Sequence, residues 1–261
     1  MNPRLRQLVP VTLALALALL SAGARSASAE TAASDPKAVA IADQVMAALG
    51  GKKAWDDVAG LRWTFEVMVN DTTRFTRRHA WDKHTGWYRV DGKTKDGTPF
   101  VFIRNLNAND GKAWMGGKPM AGDSLQKLVK RTMSIWINDA YWLLMPYKLR
   151  DPGVNLKYAG DTTFAGKTYD RIALSYENVG DTPGDRYWIF VNRANHRVEQ
   201  WNMLLQGDTP PPNPVTLEGW EQHGGLWFAT LHHEPMKKGV AVMTKDIALV
   251  PKFDPKEFAG P

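Results

Sequence analysis

The stretch Gly60-Leu-Arg-Trp-Thr-Phe-Glu-Val-Met-Val-Asn70 decides the fold. Leu61, Trp63, Phe65, Val67 and Val69 are apolar, and Arg62, Thr64, Glu66 and Asn70 alternate with them. That is the two-residue period of a strand with one greasy and one wet face. Upstream of Gly60 the period is helical. Asp35 caps and Pro36 opens a helix on which Ala38, Ile41, Ala42, Val45, Met46 and Leu49 recur, and Gly50-Gly51 stop it. A short second helix at 52–58 is expected to lay Trp55 against the first.

Downstream, strands recur at the spacing of an antiparallel meander: 73–81, 86–90, 99–105 and 112–115, separated by turn clusters such as Asp91-Gly92 and Asn109-Asp110-Gly111. Asp123 or Ser124 then caps a helix with Leu125, Leu128, Val129, Met133 and Trp136 on one stripe, and Lys127, Lys130 and Arg131 off it. The following Ala140-Tyr-Trp-Leu-Leu-Met-Pro-Tyr147 has no polar face, and Pro146 limits its helix. A second meander occupies 154–158, 167–176, 185–191, 197–205, 215–221, 226–233 and 240–249. Ten to twelve antiparallel strands with one helical insert predict an α+β fold: a large curved antiparallel sheet or half-closed β-barrel with helices covering the mouth.

Arg4 and Arg6, the apolar run from Val11 to Leu20, and Ala27-Ser28-Ala29 have the layout of a secretory signal peptide spanning residues 1–29. Ten apolar residues are too few to cross a hydrocarbon core, which needs about 20. Residues 30–261 are then a single mature domain in the periplasm. Removing 29 of 261 residues leaves 232, and losing Arg4, Arg6 and Arg25 lowers the formal net charge from +6 to +3. So small a charge makes no case for nucleic acid, which needs a basic stripe across several phosphates. Arg74, Arg77 and Arg78 are the densest basic spot, and on a regular strand they point to both faces as solvated charges.

The chain has no Cys, which excludes thiolate nucleophiles, disulfides, cysteine metal sites and a lipidated N-terminal cysteine. His79, His84, His196, His223, His232 and His233 show neither HxH nor HExxH spacing, so no metal is expected. GxSxG, GxxxxGKS and GxGxxG are likewise missing, and no cofactor is expected. Asn138-Asp139 beside Tyr141 and Trp142 reads either as a cap of the apolar segment or as a carboxylate in a greasy site.

What remains is an aromatic load of 11 Trp, 9 Phe and 7 Tyr arranged for a cavity. Trp63, Phe65, Val67, Phe75, Trp81, Tyr88, Ile189, Trp201 and Trp220 are candidate wall residues, and Trp136, Trp142, Leu143, Leu144 and Tyr147 candidate lid residues, of a site for a lipid-sized ligand. Any single member is more often packing than ligand contact; the set carries the reading.

Three segments carry a resemblance: Trp136-Ile-Asn-Asp-Ala-Tyr-Trp-Leu-Leu-Met-Pro-Tyr-Lys-Leu-Arg-Asp-Pro-Gly-Val-Asn-Leu156, Val179-Gly-Asp-Thr-Pro-Gly-Asp-Arg-Tyr187 and Trp81-Asp-Lys-His-Thr-Gly-Trp-Tyr-Arg89. With them the chain resembles an uncharacterised family of bacterial secreted proteins and, more distantly and by layout, the LolA-type periplasmic lipoprotein carriers. That resemblance implies a half-barrel holding lipid or lipoprotein acyl chains, handed between membrane-associated donor and acceptor proteins, and it transfers no individual residue. Two functions from different classes follow. One is a periplasmic carrier or sensor of acyl chains. The other is a secreted enzyme on a lipid or glycan, using Asp139, Tyr141, Tyr147, Lys148 and one of the histidines.

Overall fold

The computed structural model describes residues 34–177 and 182–261, so the signal-peptide segment lies outside the described residues, as does part of the 179–187 motif. Helix α1 (Pro36–Ala48) begins where Asp35 accepts a 2.8 Å hydrogen bond from the Lys37 amide, and it buries Ala38, Ile41, Ala42 and Val45. After α2 (Lys52–Asp56), strands β1 (Gly60–Val69), β2 (Thr72–Asp82), β3 (Trp87–Lys93), β4 (Pro99–Asn105), β5 (Asp110–Met115) and the two-residue β6 (Lys118–Pro119) form the expected meander. Trp55 stacks not on α1 but on Tyr147, 4.5 Å away between ring centroids.

Helix α3 (Gly122–Leu144) continues unbroken through the apolar segment and tightens into a 3-10 turn at Met145–Tyr147. The chain then builds β7 (Val154–Phe164), β8 (Lys167–Tyr176), β9 (Arg186–Asn192), β10 (Val198–Leu204) and β11 (Asn213–Thr216). It closes with β12 (Glu218–His223), β13 (Leu226–His233) and β14 (Val240–Val250).

Pairing is antiparallel throughout. The strands divide into a nine-stranded sheet, β12-β13-β14-β1-β2-β3-β4-β5-β6, and a five-stranded sheet, β11-β10-β9-β8-β7. The segment 215–221, expected as one strand, is shared between the two. Thr216 pairs with Gln200 in the smaller sheet and Glu218 with Leu231 in the larger, and buried Leu217 donates its amide to the Glu199 carbonyl. Gly219 follows at φ 60°, where an added Cβ would lie 2.6 Å from the Thr230 hydroxyl, so the crossing is built around glycine.

Strand β1, between β14 and β2 in the larger sheet, shows why the period-2 pattern is so clean, and also where it fails. Trp63 and Phe65 are buried on the inner face as expected, but Thr64 and Glu66 on the other face are buried too. Glu66 accepts from Lys245 at 2.6 Å and Thr73 at 2.7 Å, and Thr64 donates to Asp246 at 2.8 Å. Burial of these polar groups is tolerated because each is paired. Farther along the same outer face, Arg62 meets Glu257 of the C-terminal segment, whose Phe253 and Phe258 pack with Ala80, Ile103 and Val250. The main core lies on the opposite side and joins α1, α3 and both sheets through Leu61, Trp63, Leu143, Ile189 and Trp201.

Candidate functional site

A cavity of about 730 Å³ opens between the N-terminal part of α3 and the inner face of β2 to β5. Its floor follows from strand and helix periods. Phe100 and Phe102 are two residues apart on β4 and stack at 4.4 Å, while Leu128 and Ile135 lie seven apart on α3. Met115 and Phe75 complete the apolar lining. Gly111 lets α3 come this close: a Cβ there would sit 3.0 Å from a Val129 methyl and 2.5 Å from the Ile103 carbonyl oxygen.

The rest of the lining is cationic: Arg74, Arg77, Lys93, Lys95 and Arg131, with Thr94. The presence of both Arg74 and Arg77 corrects the sequence expectation that these arginines are merely solvated strand charges. The reason is a register slip. Val67 pairs with Phe75 but Met68 pairs with Thr73, so Arg74 is the extra residue of a β-bulge. A bulge breaks alternation and re-aims side chains, bringing Arg74, Phe75 and Arg77 to one cavity.

Arg77 is anchored from below. Its Nε and a terminal nitrogen reach the two oxygens of Asp139 at 2.5 and 2.7 Å, and Asp139 is fully buried in the middle of α3. The cap reading of Asp139 is therefore corrected: it lies well inside the helix and ties α3 to β2. Asn138 donates to the same carboxylate at 2.8 Å, and His79 Nε2 lies 3.3 Å away. Burial pushes the Asp139 carboxyl up, but the contacts with His79 and the Arg77 guanidinium outweigh it and hold it below the ordinary carboxylate range. Burial lowers His79 below the ordinary imidazole value, and its ring lies with Nδ1 2.7 Å from the Tyr88 hydroxyl and stacks 4.5 Å from Trp63.

Of the fourteen residues singled out from sequence, Phe75 lines this cavity and is 37% exposed. The others gather in the core in two aromatic groups, both along the C-terminal half of α3. Trp136 packs on Trp81, Tyr88 and Trp63 with centroids 4.6, 5.1 and 6.0 Å away, next to buried Phe65 and half-buried Val67 on β1. Farther along, Trp142 packs 5.5 Å from both Trp201 and His232. Ile189 is fully buried, and Trp220 is half-buried under the Arg197 guanidinium. Leu143 and Leu144 are 2% and 1% exposed, and the Tyr147 hydroxyl donates to the Trp227 carbonyl at 2.8 Å. The segment expected as a lid is thus a packed helix end rather than a border of the cavity.

The residues of the enzyme reading do not converge either. Asp139 faces β2, whereas Tyr141 faces the smaller sheet, accepting from the Tyr176 hydroxyl at 2.5 Å and packing on Tyr187 and Trp201. Lys148 pairs with Asp151. Residues two apart on a helix point in different directions.

Sequence reading missed Phe100, Phe102, Met115, Lys93, Lys95 and Ile135 as cavity residues, and placed Leu128 on the right stripe without assigning it a site. The repeat of Phe at 100 and 102, facing one way on a strand, was the available signal.

No protein-family model matches the chain, nor does any curated protein. Among solved structures it is similar to a LolA superfamily protein from Nitrosomonas europaea, with TM-score 0.49 and 10% identity over 83% of this chain and 96% of that one. A DUF1329 family protein from Desulfovibrio piger gives 0.47 and 10% over 85% and 96%. The Mycobacterium tuberculosis lipoprotein LppX gives 0.33 and 9% over 85% and 100%.

Proposed function

We propose that this chain is an exported periplasmic carrier or sensor that holds an acyl chain of a lipid or lipoprotein in the cavity beneath the N-terminal part of α3, and exchanges it with membrane-associated donor or acceptor proteins. The observation that carries this reading is the cavity's form: an apolar floor of Phe75, Phe100, Phe102, Met115, Leu128 and Ile135 in a space of about 730 Å³. Ligand sites run from roughly 300 to 1,000 Å³. Each methylene moved from water onto such a floor contributes about 0.8 kcal/mol, so a chain of several carbons binds without covalent attachment.

The alternative of a secreted enzyme on a lipid or glycan has less support, since Asp139 is occupied by Arg77 and Tyr141 faces away from it. Export rests on the Arg4, Arg6 and Ala27-Ser28-Ala29 pattern. N-terminal sequencing of the exported protein should begin at or near Glu30, and an uncut chain in the membrane would refute the assignment. Mass spectrometry of organic extracts from natively purified protein tests the carrier reading. An amphiphile bound in stoichiometric amount is expected. Failure of the protein to retain or take up any acyl chain overturns it.

A further inference from the structure

The cationic side of the cavity is not explained by acyl-chain binding alone. Arg77 is spent on Asp139, but Arg74, Lys93, Lys95 and Arg131 have, among the described residues, no carboxylate within 4 Å, and no Asp or Glu lines the cavity. These four charges come from three separate elements, the bulge of β2, the β3 end with its turn, and α3, and meet at one mouth. They also outnumber the net +3 of the chain without residues 1–29, so the remaining surface is slightly negative overall and the basicity is local. Four unpaired like charges around one opening repel each other, which costs free energy that a bound anion would recover. The half-exposed Phe75 ring lies between the two zones, with the Arg77 guanidinium 4.6 Å above it.

Resting on the carrier reading, we infer that the cavity selects amphiphiles with one compact anionic headgroup, a phosphate or carboxylate, seated between Arg74, Lys93, Lys95 and Arg131 while the chain lies on the apolar floor.

The test is calorimetric titration of the delipidated, full exported protein with three probes below their micelle-forming concentrations: dodecyl phosphate, dodecanol and inorganic phosphate. The comparison protein carries Lys93→Gln, Lys95→Gln and Arg131→Gln, all at exposed positions, with its fold checked by circular dichroism. Dodecyl phosphate should bind roughly tenfold or more tightly than dodecanol, the sum of three or four modest exposed ion pairs, and lose that margin in the variant and in high salt. Dodecanol binding should fall by a much smaller factor than dodecyl phosphate binding, and an equal fall of both overturns the headgroup inference. Equal binding of the two amphiphiles to the unmodified protein overturns the headgroup inference and leaves the carrier reading intact. Binding of neither overturns the carrier reading itself. Inorganic phosphate binding as tightly as dodecyl phosphate also overturns the inference, because the site would then take a free anion and not an amphiphile.

Discussion

The two halves of α3 cover the same kind of surface in opposite ways. From Leu125 to Ile135 the helix stands over β2 to β5 and leaves a cavity, with Phe and Met side chains on its floor and cations at its edge. From Trp136 to Leu144 it is packed shut by Trp and Tyr rings from both sheets, with Asp139 pinned to Arg77 at the junction. One helix with a single hydrophobic period thus builds both a closed core and an open site. The difference lies in what faces it: paired Phe rings on a short meander strand in one half, and interleaved large aromatics in the other. Binding capacity is therefore best sought where packing is poorest, rather than where apolar residues are densest.

The junction should show the largest effect if this division is right. Asp139→Ala leaves the Arg77 charge half-buried without its partner and should lower stability by about 3–5 kcal/mol in urea unfolding. Arg77→Met with Asp139→Leu should recover most of that loss. A small effect of the single change would mean the two halves are not coupled through this pair.

Leucines from the two halves give a direct contrast. Leu143→Ala should cost about 2–5 kcal/mol, whereas Leu128→Ala, at a contact that already borders open space, should cost less than about 1 kcal/mol and weaken amphiphile binding instead. Equal costs would erase the distinction between closed core and site.

The closed half should also be acid-sensitive. Burial lowers His232 from 6.5 to about 4, with its ring stacked on Trp201 and Nδ1 3.2 Å from the Thr216 carbonyl oxygen. The unfolded chain takes up this proton more readily, so stability is full above pH 6.5 and falls as pH drops toward 4, by at most on the order of 3 kcal/mol. His232→Phe should flatten that part of a melting-temperature profile; an unchanged profile would place the acid sensitivity elsewhere.

The smallest effect on stability is expected at the cavity itself. Phe75→Ser, at a side chain 37% exposed, should change unfolding free energy by less than about 0.5 kcal/mol while reducing retention of a fluorescent fatty acid. Loss of stability without loss of retention would return Phe75 to the core.

The local rhythm of the chain was legible from its residues. Period 2 from Leu61 to Val69, the Asp35-Pro36 helix start and the regular turn clusters mark where most strands and helices lie, because alternation and capping depend on neighbours a few positions apart, while ends such as that of β7 at Phe164 and the split at Leu217 were not marked. The absence of a polar face over 140–147 was legible as well, but its partner is the aromatic core and not a cavity mouth.

What the tertiary structure alone decided are contacts between distant residues. The exit at Leu217 depends on which sheet has an open edge, and the Arg77–Asp139 pair on two residues 62 positions apart. A sequence window spans neither of these. Periodicity says which face of an element is apolar, but whether that face meets another side chain or open space is set by the element laid over it, and for the candidate site that element is α3.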